Sequence, residues 1–445
     1  MTQPEGRRQK AKGRRQKAKG RTPKAKGTTT HDSSARFHGG REPIAVVGAG
    51  VVTPGGVTID ELWDALCASR TTAEPFFDER LPRDACLLVS RARFDADAYL
   101  SPIERRRLDR AHQLGIAAAQ AAVDAAGDRR PPPDRCAVVC GVGLGAAAVQ
   151  EDQHLRLAEH GLRGISPVAI PMMMPNALAG LLSMRFRFTG PCLTVSTACA
   201  SGATAIAEGV ELLRRGAADF VLAGGADSLL TYSALAGFLR LDVMSRNVGC
   251  PAQASRPFDR DRDGFVMGEG AGFMVLQRAG DAATEDRRPW GFVLGHASTA
   301  DAFNLVAPHE DGSGALACMR LALDDAGVEV RAIGHVNAHG TSTIPGDRSE
   351  ALAIRRLFGD SAPPVTGVKG TTGHLIGGSG AVEAIVTLRA LRAGLVPPTA
   401  GVRHVDPAIE LDIVVDRPRP VASPVALSNS FGFGGMNTAL VLGAA

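Results

Sequence analysis

No uninterrupted apolar stretch in the 445-residue chain reaches the roughly 18 residues that a membrane helix requires. No apolar segment follows a charged start in the manner of a secretion signal. Neither a membrane span nor export is therefore expected. CxxC pairs are missing as well. The eight cysteines (67, 86, 136, 140, 192, 199, 250 and 318) are scattered along the chain, which suits neither a disulfide framework nor a zinc ribbon and predicts a reducing, cytoplasmic setting. Lysine is almost absent beyond residue 27, where 38 arginines accompany one lysine, Lys369. A chain that uses the planar guanidinium nearly everywhere singles out the position where a compact ammonium stands.

What is present is an ordinary globular balance, 44% hydrophobic and 22% charged, with 52 glycines and 27 prolines spread along the chain rather than pooled. Collagen-like and wholly disordered readings fail, and the length implies two or three domains or one doubled fold. The net charge of +4 divides into +10 for residues 1–27 and −6 for the rest. Within that tail GRRQKAKG occurs twice, with no apolar periodicity and no aromatic ring for a base to stack on. Residues 1–40 read as a solvated basic arm, and a nucleic-acid partner is not expected.

Ordered sequence is expected from about Arg41, where IAVVG (Ile44 to Gly48) reads as a strand, followed by a Pro54-Gly55-Gly56 turn and a helix from Ile59. Gly48 and Gly50 suggest a dinucleotide fingerprint, but its third glycine position is Thr53, so that reading is set aside. The chain also repeats itself. Ala121-Ala-Val-Asp-Ala-Ala-Gly127 returns as Leu321-Ala-Leu-Asp-Asp-Ala-Gly327, and each closes a helix before an apolar run, CAVVCGVG in one case and IGHVNAHG in the other. The helix after Cys199, running to Arg215-Gly216, likewise has a counterpart after His374 running to Gly394. Two copies of one βα pattern are implied, each with a mostly parallel sheet, and the turns beyond the strand ends are where chemistry should collect.

The first such turn, Leu193-Thr-Val-Ser-Thr-Ala-Cys199-Ala-Ser-Gly202, bends at Cys199 into a helix start, a place that lowers a thiol pKa and offers backbone N–H groups to an oxyanion. Asn337-Ala-His339-Gly-Thr341-Ser-Thr343 and Lys369-Gly-Thr-Thr-Gly373-His374 are the matching turns of the second copy. Cysteine with two histidines is a catalytic set. His335 and His339 have a metal-like spacing, but on a strand residues four apart are too separated for one ion, so no metal is expected. Asp259-Arg-Asp261-Arg-Asp263-Gly264 opens like a calcium loop, yet its twelfth position is Gly270, and it reads instead as a turn that pairs its own charges.

Six segments together, TACASG around Cys199, RPFDRDRDGFVMGEGAG from Arg256, NAHGTST around His339, GDRSE ending at Glu350, VKGTTGHLIGGSGAVE from Val368 and NSFGFGG from Asn429, resemble the elongating β-ketoacyl-acyl carrier protein synthases of the thiolase superfamily. The likeness spans about residues 41 to 445. It implies an α/β, thiolase-like fold of two duplicated half-domains, 41–284 and 285–445, in a five-layer αβαβα arrangement. It implies Cys199 as acyl-accepting nucleophile, His339 and His374 as the decarboxylating pair, Lys369 as their support and Glu350 as the acidic partner of that lysine. Thr341 and Thr343 would bind the pantetheine arm, the N–H groups of Cys199 and Phe431 would form the oxyanion hole, Phe431 would gate the channel, and Leu144 and Phe238 would wall the acyl pocket.

The same likeness implies decarboxylative condensation with malonyl-acyl carrier protein in fatty-acid or polyketide synthesis, without a cofactor. The expected partners are an acyl carrier protein and a second subunit, either identical or a chain-length-factor-like relative. This chain departs from the family pattern at Met436, at Gly370 where serine is usual after the lysine, and at Gly378-Ser379, which replaces a commoner alanine pair. A biosynthetic thiolase would need a second, late cysteine, and none follows Cys318. An initiating synthase would pair the cysteine with His and Asn, whereas His374 stands at the third position. Non-catalytic partners lack the nucleophile that this chain keeps.

Overall fold

Apolar runs that end at glycine become the strands, and the small-residue stretches between them become the helices. The computed structural model describes residues 41–80, 87–283 and 288–445; the basic tail 1–40, Cys86 and the expected half-boundary at 284/285 lie outside them. In chain order the ten strands that build the two halves are β1 (Ile44–Val52), β2 (Cys136–Gly141), β3 (Cys192–Val195), β4 (Phe220–Ser228), β5 (Met267–Arg278), β6 (Gly291–Ala300), β7 (Ile333–Asn337), β8 (Val365–Thr366), β9 (Val425–Gly432) and β10 (Met436–Ala444). The helices used below are α1 (Arg110–Ala126), α2 (Ser201–Arg214), α3 (Ser313–Ala326), α4 (Ile344–Phe358) and α5 (Ser379–Ala393).

The duplication is plain in the strand order, β1-β5-β4-β2-β3 in the first half and β6-β10-β9-β7-β8 in the second. Where a mostly parallel sheet was expected, each of these five-strand paths holds two parallel and two antiparallel pairings. The reason lies in the connections. Helical crossovers bring β2, β3 and β4 parallel, whereas β9 returns to β10 through the three-residue turn Phe433–Gly435, which can only reverse the chain. The halves meet edge to edge where Ile44–Val46 pair antiparallel with Gly291–Val293, so one ladder runs through both.

Five layers follow. Helix α1 covers the outer face of the first sheet and α3 that of the second, while α2 and α5 lie side by side between the sheets. The central layer is the main core, where Ile206, Val210 and Leu213 of α2 meet Val382, Ile385 and Leu388 of α5. Strand β4 (FVLAGGADS) is buried along its whole length, which is why it reads as a continuous apolar run without alternation.

The sequence repeat finds its physical basis at the helix ends. Helix α1 stops at Gly127 (φ 80°) and α3 at Gly327 (φ 63°), conformations that glycine adopts without strain. The incomplete dinucleotide fingerprint is explained by packing. A Cβ on Gly48 would sit 2.1 Å from the Ala122 carbonyl of α1, so the alanine-rich helix lies directly on the strand backbone. The same device joins the halves: a Cβ on Gly202 of α2 would stand 2.8 Å from the Ala381 nitrogen of α5, and one on Gly380 would stand 2.8 Å from the Ala203 nitrogen.

The Asp/Arg segment only partly pairs with itself. Arg260 reaches Asp261, but the buried Arg262 bridges outward to Asp347 (3.4 Å) and Asp406 (2.8 Å), and Asp259 accepts from the backbone of Arg403 and His404. Among the described residues no helix is long and apolar enough to cross a membrane.

Candidate active site

Two equivalent turns meet at the centre of the molecule. After β3 the chain passes through Ala198, held at φ 49°, to Cys199 and the start of α2. After β8 it passes through His374 and Ile376, held at φ 50°, to the start of α5. In each turn the first residue of the central helix accepts a backbone N–H from four residues back, Thr197 to Ser201 Oγ (2.9 Å) and Leu375 to Ser379 Oγ (3.0 Å). The cysteine therefore comes from one half, and both histidines and the lysine come from the other.

The expected set converges. His374 Nε2 lies 3.0 Å from Cys199 Sγ, and the His339 and His374 rings stand edge to face with centroids 5.5 Å apart. Lys369, 1% exposed, donates from Nζ to His339 Nδ1 (3.3 Å) and to the His339 carbonyl, and it pairs with Glu383 Oε1. A lysine ammonium only donates, so His339 Nδ1 accepts and its proton sits on Nε2. Burial, reinforced by the Lys369 charge, holds both imidazoles well below the usual range, so both rings are neutral.

Cys199 departs from expectation. The helix start was expected to lower its pKa, yet burial among Leu229, Phe265 and Ile376 pushes the thiol up to about 12, with the Lys369 charge and the Phe433 N–H pulling the other way. Desolvation of the thiolate outweighs a local dipole, and the resting group is a thiol.

Two further expectations are refined. Glu350 stays in the electrostatic neighbourhood of Lys369, but its oxygens accept the backbone N–H groups of His339 (2.8 Å) and Gly340 (2.9 Å) and the Asn429 amide (3.2 Å), so it shapes the His339 turn. The lysine's partner is Glu383, one turn into α5, whose carboxyl burial pushes up to about 7. Phe431 lines the cavity, but the N–H that reaches Cys199 is not its own. It is held in β9 opposite Asn437, with its ring edge-on to His339 (6.0 Å). The N–H that reaches Cys199 is that of Phe433, in the turn beyond β9, and the Phe433 ring stacks on Phe238 at 6.3 Å.

A cavity of about 310 Å³ opens onto these groups. Thr341 and Thr343, hydrogen-bonded to each other at 2.9 Å, line it together with Leu144 and Phe238. Asp227, unnoticed in the sequence, organises its floor: the buried carboxylate accepts N–H groups from Gly143, Leu144, Gly145 and Gly377, tying a loop of the first half to the His374 turn. The sulfur and ring nitrogens of Cys199, His339 and His374 lie within 4.8 Å of one another, a donor set that could hold a metal ion. The ammonium beside His339 opposes a cation there.

The residues missed from sequence carried faint signals. Glu383 is the single acid of α5, set in the apolar run Ala381 to Val386, and Phe433 stands two residues beyond Phe431 in the same motif.

Comparison with known proteins agrees with this geometry. Residues 41–282 match the β-ketoacyl synthase N-terminal domain and residues 290–403 its C-terminal domain. The 3-oxoacyl-(acyl-carrier-protein) synthase 2 of Synechocystis sp. is 37% identical over 405 residues, covering 90% of this chain and 97% of that protein. Its counterpart in Rhizobium meliloti is 39% identical over 415 residues, covering 90% and 98%. Among solved structures, the ishigamide ketosynthase/chain length factor superposes with a TM-score of 0.83 at 32% identity, covering 91% of this chain and all of that one.

Proposed function

The chain belongs to the β-ketoacyl synthase family, and from that premise we propose that Cys199 accepts an acyl group which His339 and His374, supported by Lys369, then condense with malonyl-acyl carrier protein. The observation that carries the assignment is the 3.0 Å approach of His374 Nε2 to Cys199 Sγ, with Lys369 fixing the second imidazole.

In the first half-reaction the Cys199 sulfur attacks the thioester carbonyl. The oxyanion lies against the N–H groups of Cys199 and Phe433, and the carrier sulfur leaves with the proton that the thiol gave up. In the second, malonyl-carrier loses carbon dioxide, and the electron pair of the broken C–C bond becomes an enolate whose oxygen accepts from the Nε2–H groups of His339 and His374. The enolate carbon attacks the acyl-enzyme, a new C–C bond forms, and Cys199 leaves and regains a proton from water. Neutral imidazoles suit this step because they give hydrogen bonds to developing charge without a metal or an organic cofactor. Thr341 and Thr343 hold the pantetheine arm, and Leu144 and Phe238 face the acyl chain.

The enzyme works in the cytoplasm and pairs with a second subunit. Its relatives named as 3-oxoacyl-(acyl-carrier-protein) synthase 2 favour activity without an inactive chain-length partner.

Intact-mass analysis tests the proposal. The purified chain, offered acyl-carrier thioesters and then malonyl-carrier, should gain an acyl adduct and discharge it as 3-oxoacyl product. Cys199→Ala should gain none, and His339→Ala should gain the adduct but not discharge it. Condensation by the Cys199→Ala protein would refute the scheme.

A further inference from the structure

Resting on the reading of His374 as a donor to the enolate, we infer that Ser379 is a positioning residue that fixes the proton of His374 on Nε2, the nitrogen facing the substrate. Ser379 stands where the sequence departs from a commoner alanine, and its hydroxyl lies 3.0 Å from His374 Nδ1 while accepting the Leu375 N–H at 3.0 Å.

The duplication shows what is unusual here. Ser201, the equivalent serine of the first half, accepts the Thr197 N–H in the same way but directs its own proton to the carbonyls of Ala198 (2.6 Å) and Val142 (3.1 Å). In the second half the hydroxyl faces an imidazole instead. Ser379 is 2% exposed, so its proton must find a protein acceptor. The Leu375 amide can only donate, and it occupies one oxygen lone pair. If the hydroxyl gives its proton to Nδ1, all three groups are satisfied and His374 carries its proton on Nε2. If Nδ1 instead carried the proton, the hydroxyl hydrogen would need another acceptor inside the protein. A relay therefore runs from Leu375 N–H through Ser379 to His374, and it matches the one from Lys369 to His339. Each imidazole receives a donor at Nδ1 and presents a donor at Nε2.

Two measurements on the full chain test this. In ¹⁵N-histidine-labelled protein, with His374→Gln for assignment, His374 should show a protonated Nε2 and an unprotonated Nδ1; a protonated Nδ1 would overturn the inference whatever any variant does. In Ser379→Ala, loss of the buried donor should slow decarboxylation of malonyl-carrier about 10-fold and leave acylation of Cys199 within about threefold. An equal fall in both half-reactions, as from general loosening, or no change in either, would also overturn it. A wild-type protein that acylates but does not decarboxylate would instead defeat the underlying reading of the histidines, and the NMR result would still decide the part of Ser379.

Discussion

Replacing Lys369 with methionine separates what the lysine does for stability from what it does for chemistry. The Lys369 and Glu383 side chains are each 1% exposed, so the variant strands a carboxyl in the interior. Removing one partner of a buried pair costs about 3–5 kcal/mol. A body of about 400 residues unfolds with an entropy near 2.1 cal/mol/K per residue, about 0.85 kcal/mol/K in all, so the melting temperature should fall by about 4–6 °C.

The deficit has a definite pH sign. Burial already raises Glu383 from the ordinary carboxylate range to about 7, and a carboxyl whose folded pKa is raised contributes stability at low pH that is lost as pH rises. Without Lys369 that pKa climbs further, and each pH unit above 7 at which the carboxyl stays protonated adds up to about 1.4 kcal/mol. Thermal melts of the wild type, Lys369→Met and Lys369→Met/Glu383→Gln at pH 6 and pH 8.5 make the check. The single variant should melt lower, more so at pH 8.5. The double variant should recover at least half the loss and remain unable to decarboxylate malonyl-carrier, because His339 has lost its donor. A double variant no more stable than the single, or a deficit that shrinks with pH, would refute the reasoning.

Two other outcomes are expected. Phe433→Pro removes the backbone donor aimed at the developing oxyanion, next to an extended Gly432 that tolerates a following proline, so acylation measured by intact mass should fall about 10²- to 10³-fold, whereas Phe433→Ala, which keeps the N–H, should not show that loss. His335, buried in β7 with neither ring nitrogen partnered, is pushed by burial down to about 4. A depressed histidine contributes stability above its unfolded pKa of 6.5 that is lost as pH falls, so wild type should lose about 2 kcal/mol between pH 7.5 and 5 that His335→Leu keeps, as read from paired denaturant curves.

The duplication, the helix ends at Gly127 and Gly327 and the trio of Cys199, His339 and His374 were legible because each is written in local sequence: a cap, a turn or a small-residue bend. What was not legible depends on register and on sums over the whole interior. Phe431 and Phe433 differ only in which side of the β9 end they fall, and strand pairing with Asn437 decides that. Glu350 belongs to a local motif, whereas Glu383 meets Lys369 because α5 runs back through the core. The thiol was expected to be acidic from its helix start, but the opposing effect of burial comes from Leu229, Phe265 and Ile376, residues that only the fold brings to Cys199. The count of parallel pairings failed for a similar reason, since a three-residue turn between β9 and β10 carries no apolar pattern.

The contact of α2 with α5 at Gly202 and Gly380 has a consequence for how this enzyme can vary. Where side chains separate two helices, a substitution is absorbed by rotamers and the helices shift by fractions of an ångström. Here backbone rests on backbone, and the cysteine and the histidine ride on the two members of that contact. The reacting distance is thus set by a hard stop with almost no compliance. Residues in the outer layers and around the acyl cavity can drift, and thermal stability or substrate size can drift with them, while the spacing of sulfur and imidazole stays fixed.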